Sequence, residues 1–520
     1  MTAWMNLGQQ LKMNAAKYPD TVALKDTHRS FTYPETNRRV NRLAHSLLSL
    51  GLDKGDKMAV FMENSIEIIE AYLATAKTGI IIVPINFRLV GKEIEYIVNN
   101  SDAKAFMVDS EFTPMIDNIK PALKNIPTDR YIVVGEACEG YREYEAFMAD
   151  ASADEPDTRV DSKDTWILIY TSGTTGKPKG VVRSHESHIA FYLINGIDFG
   201  FNAHDICMNV MPLCHINSTY FTFTFIYIGA TVYVHPARSF KPEEILQIIE
   251  KEKITFISLI PTHYNLILNV SEAAKTHDVS SIRKLLCSSA PVRKDMKLAI
   301  MEFFQGVELY EGYGSTEAGI VTVLKPEDQL RKLGSIGKES LGTDRIKLLD
   351  ENGDEVAVGN VGELYSRGPM MFDEYYKLPE KTRSSFQGEW FSAGDMARKD
   401  EDGFYQIVDR KDNMIITGGE NVYPSEVEEV VGAHECVFDC AVIGLPDDKW
   451  GEKVVAVVIP KDQRRDEITE EMIMTCCKDQ MAGYKRPKQI VFISEDEMPR
   501  TPTGKILHRK LRDKYSGGSS

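Results

Sequence analysis

Short apolar runs of strand length, separated by segments of helical spacing, dominate the first four hundred residues or so of this chain. MAVFM (58–62), GIIIVPIN (79–86), AFMVD (105–109), YIVV (131–134), WILIY (166–170), TVYVH (231–235), ITFISLIP (254–261) and KLLCSS (284–289) are often β-branched and mostly stop at polar or turn residues. Between them, PETNRRVNRLAHSLLSLG sets Val40, Leu43, Leu47 and Leu48 on one face, and EIIEAYLATAKTG repeats the helical period. Strands alternating with helices imply right-handed βαβ units. The expected class is therefore α/β, with parallel-rich sheets flanked by helices and ligands at the carboxyl ends of the strands. After about residue 411 the units become smaller: helix PSEVEEVVGAH, strands CVFDCAVIG and KVVAVVIP, a helix over 467–481, and strand QIVFIS. This predicts a small α+β domain over 412–514 behind a large one over 1–411, with 515–520 a flexible tail containing SGGSS. The 520 residues leave room for such a division.

Composition narrows the function. The 77 acids outnumber the 61 bases, which argues against a general nucleic-acid binder. Residues 485–514 run the other way, with nine Lys or Arg against four acids; a basic patch on an acidic protein either meets an anionic ligand or is a solvated helix. The eight cysteines form no C-x-x-C pair and suit a reducing, cytoplasmic setting. Among them Cys436, Cys440, Cys476 and Cys477, near His434, read as small packed side chains rather than metal ligands, and His185 and His188 lack a third ligand. No signal-peptide run opens the chain. Between Asp205 and Arg238 no charged residue occurs, but Pro212, the many hydroxyls and the alternation in TVYVH predict a buried helix followed by a strand, not a membrane span.

Chemistry concentrates in TSGTTGKPKG (171–180), which follows the strand-like WILIY and holds three glycines, four hydroxyls, two lysines and no acid. Glycines admit backbone N–H groups to an anion, hydroxyls add donors, and Lys177 and Lys179 balance charge, so Thr171, Ser172, Gly173, Thr174, Thr175 and Gly176 are candidate phosphate contacts. The spacing is not that of a Walker A loop.

TSGTTGKPKG resembles the phosphate-loop signature of the adenylate-forming superfamily: acyl-CoA synthetases, aryl-CoA ligases, peptide-synthetase adenylation domains and luciferases. ELYEGYGSTE (308–317), GEL (362–364), WFSAGD (390–395), DRKDNMIITGGENVYPSEVE (409–428) and PRTPTGKILHRKL (499–511) follow in the order expected of such a protein. The resemblance implies an AMP-forming acid–thiol ligase using ATP, Mg²⁺ and CoA, with a carboxylic acid as its other small-molecule partner. It implies Glu317 on Mg²⁺, Thr316 near the α-phosphate, Gly314 and Ser315 in the same loop, and adenine between Ser289, Ala290, Pro291 and Glu311, Gly312, Tyr313. Ser288 and Ser289 depart from the usual glycines there. Asp395 resembles the acceptor of both ribose hydroxyls, and Arg410 the arginine beside it. Lys505 resembles the lysine that bridges acid and α-phosphate, and Asp412 the hinge about which the small mobile domain turns. Gly418 and Gly419 resemble the pantetheine tunnel; Trp450, Tyr484, Arg486 and Lys488 match positions used for the CoA nucleotide.

For the acid, His215 resembles the histidine over the acyl region, with Asn217, Ser218, Tyr220, Tyr264, Gly314 and Ile320 as pocket walls. These are apolar or neutral, which favours a hydrophobic monocarboxylate (medium-chain, alicyclic or aromatic) over an amino acid, whose ammonium would want a carboxylate partner. Alternatives at this stage are an enzyme loading a carrier protein, a luciferase-like oxygenase, and a nucleotide-binding regulator without turnover. The chain is expected to act as a monomer or homodimer.

Overall fold

A computed structural model describes residues 6–171, 177–236, 238–288, 292, 294–418, 420–500 and 506–516. The chain divides into two compact units, Met1–Arg345 with Ser366–Phe391, and Ile346–Tyr365 with Ser392–Ser520.

The first unit is built on two sheets. In the eight-stranded one, the strands Lys57–Phe61, Ile81–Ile85, Ala103–Asp109, Tyr131–Val134 and Thr165–Thr171 are parallel, as their continuous apolar runs require. Lys179–Ser184 and Glu374–Tyr375 then add antiparallel at one edge. The nine-stranded sheet repeats the plan: Thr231–Val234, Ile206–Asn209, Phe256–Leu259, Lys284–Ser288 and Glu308–Ser315 are parallel, and Gly319–Leu324 turns back antiparallel. Thr171 and Lys179 at the two ends of the first signature, and the Glu308–Ser315 strand of the second, thus lie where a parallel sheet gives way to an antiparallel edge.

Local chemistry sets the helices. Tyr33–Ser49 opens with Pro34 and a Thr32–Glu35 capping box and buries Val40, Leu43, Ala44 and Leu47. Ile216–Ile228 carries no charge and is buried continuously from Ser218 to Ile226. It stops at Gly229, whose φ of +85° and close approach to the Tyr18 ring both exclude a side chain, and Thr231–Val234 follows. The charge-free stretch is therefore a buried helix and a strand, as expected. Among the described residues no helix is long and apolar enough to cross a membrane.

In the second unit, Lys347–Leu349, Gly362–Tyr365, Asp395–Lys399 and Tyr405–Arg410 form an antiparallel sheet that the periodicity did not predict, because strands of three to six residues carry too few alternations to register. A five-stranded sheet centred on Val437–Asp447 and Gly451–Pro460 packs against Pro424–Gly432, with Glu470–Gln480 beside that helix. Cys436, Cys440 and Cys477 lie in its apolar core with Val427, Val431 and Ile490.

Candidate active site

The Thr165–Thr171 and Lys179–Ser184 strands pair directly, Thr171 opposite Lys179, so the phosphate-loop signature is the connection of an antiparallel hairpin. Ser172, Gly173, Thr174, Thr175 and Gly176 lie outside the described residues. At the hairpin's ends, the Thr171 hydroxyl is buried without a partner, and Lys177 Nζ stands 5.8 Å from the Tyr96 ring.

Lys179 points to Glu317. Its Nζ is 3.2 Å from Glu317 Oε1 and donates to the Tyr375 hydroxyl at 2.8 Å; that hydroxyl donates to the same Oε1 at 2.7 Å. Glu317 is buried. Three elements converge here: the hairpin strand carrying Lys179, its antiparallel neighbour carrying Tyr375, and the Glu308–Ser315 strand that leads into Thr316 and Glu317. Gly314 is required in that strand, because a Cβ would fall 2.0 Å from Gly319 O where the chain turns back. Ser315 Oγ accepts from Ala318 N at 3.0 Å and closes the turn.

Beside it, Gly312 pairs with Ser288 of the adjacent strand, while Tyr313 lies one residue on. Ser289, Ala290 and Pro291, expected against adenine, are outside the described residues. Glu311 forms an ion pair with Lys297, an ammonium with no exposed surface. Burial pushes the Glu311 carboxyl up to about 7, against the pull of Lys297.

Among the residues expected around the acid, Asn217 donates to Ser288 Oγ at 2.8 Å and accepts from Ser258 Oγ at 3.0 Å, tying the Ile216–Ile228 helix to two strands. His215 precedes that helix; burial and then the Arg88 cation push its pKa down to about 4, so the ring is neutral. Ser218 spends its hydroxyl on Met211 O at 2.6 Å. Tyr220 stacks on Phe191, centroids 3.7 Å apart, in the same apolar cluster as Ile320. Tyr264 is not brought to this group. It packs with Ile257, Leu259 and Leu285, and alternation along the Phe256–Leu259 strand puts those residues on the face opposite Ser258.

In the second unit, Asp395 and Arg410 are direct cross-strand partners, with Nε to Oδ1 at 2.8 Å. Asp412 sits in a single 3₁₀ turn, Lys411–Asn413, and its carbonyl accepts from Arg512 at 2.9 Å. Gly418 has φ +61° and lies against Trp450, whose carbonyl accepts its N–H at 2.7 Å. Arg486 Nε donates to Met481 O and Lys488 Nζ to Gly483 O, both at 3.1 Å, so these two and the exposed Tyr484 share one turn. Gly419 and Lys505 are outside the described residues.

Sequence reasoning missed Tyr375, Arg183 and Lys297. Nothing in the local string DEYYK singles out the first. Lys297 carried a signal: it shares an apolar helix face with Ile300 and Phe304.

The family model described as AMP-binding enzyme matches residues 11–376, and the one for the AMP-binding enzyme C-terminal domain matches 426–505. A long-chain-fatty-acid–CoA ligase of Mycobacterium tuberculosis (strain ATCC 25618 / H37Rv) is 34% identical over 518 residues, 98% of this chain and 99% of the relative. A feruloyl-CoA synthase of Amycolatopsis sp is 33% identical, with 98% and 99% covered. Among solved structures, an anthranilate CoA ligase in complex with anthranoyl-AMP superposes with a TM-score of 0.89 at 30% identity, with 98% of this chain and 97% of that one covered.

Proposed function

The chain belongs to the AMP-binding enzyme family and is an AMP-forming carboxylic acid–CoA ligase; from that premise we propose that its acid is a hydrophobic monocarboxylate of about six to eight carbons. The observation that carries the site assignment is the Glu317 carboxylate gripped by Lys179 and Tyr375 beside the end of the phosphate-loop hairpin. A carboxylate is a poor electrophile, and converting it to an acyl-adenylate supplies a better leaving group, AMP. That step drives one anion onto another, so cations fixed beforehand are the main contribution a protein can make.

Glu317 fits Mg²⁺. It is a hard oxygen donor, and among the described residues no group of three or more His, Cys, Asp or Glu side chains could hold a metal ion. A single carboxylate completed by phosphate oxygens and water is a usual Mg²⁺ environment, and the ion would neutralise phosphate charge. Lys177, Lys179 and the buried Thr171 hydroxyl serve the phosphates, Asp395 and Arg410 the ribose, and Lys505 the joining of acid and α-phosphate. CoA then enters past Gly418 and Gly419, with its nucleotide near Trp450, Tyr484, Arg486 and Lys488. Asp412 is the hinge of the domain that follows it, residues 412–514. The enzyme works in the cytoplasm as a monomer or homodimer.

For the acid, neutral His215, the Asn217 hydrogen-bond chain and the stacked Tyr220 and Phe191 rings support a pocket without a counter-charge for an ammonium. Acetate would forgo roughly 0.8 kcal/mol for each methylene it lacks. The test is competition among acetate, hexanoate, cyclohexanecarboxylate, benzoate, palmitate and phenylalanine, read as CoA-dependent AMP formation. Hexanoate, cyclohexanecarboxylate and benzoate should lead in kcat/KM. A lead for acetate, palmitate or phenylalanine overturns the pocket assignment. One relative, a fatty acid–[acyl-carrier-protein] ligase of Streptomyces coeruleorubidus at 31% identity, sets the other acceptor to test: adenylate formed and passed to a carrier protein, but not to CoA, favours that reading.

A further inference from the structure

Arg183 lies on the same strand as Lys179, and its surroundings are unusual for a cation. The side chain has no exposed surface. Its guanidinium is spent on main-chain carbonyls: one terminal nitrogen donates to Thr316 O at 2.6 Å and reaches Glu317 O at 3.5 Å, and the other donates to Met370 O. The Nε atom is buried without a protein partner, and the Tyr220 ring lies 5.2 Å from the guanidinium carbon. Taking a cation out of water costs several kcal/mol, so packing alone gives no reason for a charge at this depth.

The carbonyls it holds explain the placement. Thr316 and Glu317 are the two residues of the turn that the functional reading puts against α-phosphate and Mg²⁺. Lys179 and Arg183 are four residues apart on one strand, hence on one face. That strand holds the corner twice, through the Glu317 carboxylate at Lys179 and through the Thr316 carbonyl at Arg183. Phe372 N adds a further bond to Glu317 O at 2.7 Å.

We propose that Arg183 is a positioning residue for nucleotide activation: it fixes the Thr316–Glu317 corner from behind, so that the Glu317 carboxylate meets Mg²⁺ in one orientation. Tyr220, on the acyl side, packs against the same guanidinium, so the acid wall and the metal corner share one support. The inference rests on the functional reading above, in which Glu317 is the metal ligand.

The test needs no acid. MgATP, and ATP with EDTA, are titrated calorimetrically into the full-length protein carrying Arg183→Met or Arg183→Lys, with circular dichroism as a check of folding. Arg183→Met should weaken MgATP binding roughly tenfold or more, the scale of a lost hydrogen bond to a charged group, and Mg²⁺-free ATP by less than about threefold. Arg183→Lys keeps the charge but not the fork, and should fall between. Equal losses for both forms of ATP, or none, would show that Arg183 only packs the core. If Arg183→Met does not fold, the Lys variant decides: an unchanged ratio of MgATP to ATP affinity overturns the proposal. Failure of the functional reading has a different signature, a wild-type protein that binds neither form.

Discussion

At the scale of single residues, the clearest quantity is the buried Lys297–Glu311 pair. Lys297→Met leaves Glu311 buried without its cation; breaking such a pair costs up to about 3–5 kcal/mol, and less as Glu311, already raised to about 7, retains its proton. Lys297→Met with Glu311→Gln, which removes both charges, should recover most of that stability; urea midpoints of the two variants would check it. A double variant no better than the single one means the pair is not what stabilises this wall. Lys505→Ala tests a different residue. In the proposed function its charge serves only while carboxylate meets phosphate, so adenylate formation should fall severely while transfer from a supplied acyl-AMP to CoA stays comparatively intact. Equal losses in both half-reactions would remove the assignment. Glu317 and Lys179 were legible because their motifs carry them. Tyr375 was not, because its contribution is a hydroxyl brought in by an edge strand nearly sixty residues later in the chain.

At the scale of elements, Lys411–Asn413 is one 3₁₀ turn, and Arg512 of the His508–Tyr515 helix holds the Asp412 carbonyl. Proline suits the φ of such a turn and permits little else. Asp412→Pro should therefore retain this conformation and slow thioester formation more than adenylation, in separate assays of the half-reactions. Normal overall turnover with CoA would show that Asp412 is not a hinge. The long apolar runs were readable as strands, since burial on both faces leaves a continuous hydrophobic signature. Glu308–Ser315 was read as a motif and not as a strand: its glycines obscure the period, and its extended conformation comes from pairing with Lys284–Ser288 on one side and Gly319–Leu324 on the other.

At the scale of the whole molecule, five histidines with depressed pKa values, His185, His188, His215, His235 and His263, contribute to the response to acid. Burial holds His185 down to about 3, and His215 and His263 down to about 4. The unfolded chain titrates these rings near 6.5, so between pH 6.5 and 4 it binds more protons than the folded one, and stability falls as pH falls. Glu311 and Asp109, both raised to about 7, oppose this between their ordinary values and 7. A difference measurement separates them. His185→Phe retains an aromatic partner for Trp166, against which His185 stacks at 5.6 Å, and removes one titration. Its urea midpoint should decline less steeply than that of the wild type from pH 6.5 to 4; parallel curves would mean that His185 is solvated enough to titrate normally.

The sequence by itself determined the alternation of strands and helices, the buried helix in the charge-free stretch, and the phosphate-loop and YGSTE signatures, because these depend on neighbours a few residues away. Only the tertiary structure decided that the parallel sheets end in antiparallel edges and that Lys179, Tyr375 and Arg183 meet at Glu317. It also put Tyr264 behind the sheet, away from Asn217. Such meetings join residues far apart in the chain, 58 positions for Tyr375 and Glu317 and 134 for Arg183 and Glu317, through strand pairing and the burial of opposite sheet faces, and no local period records them.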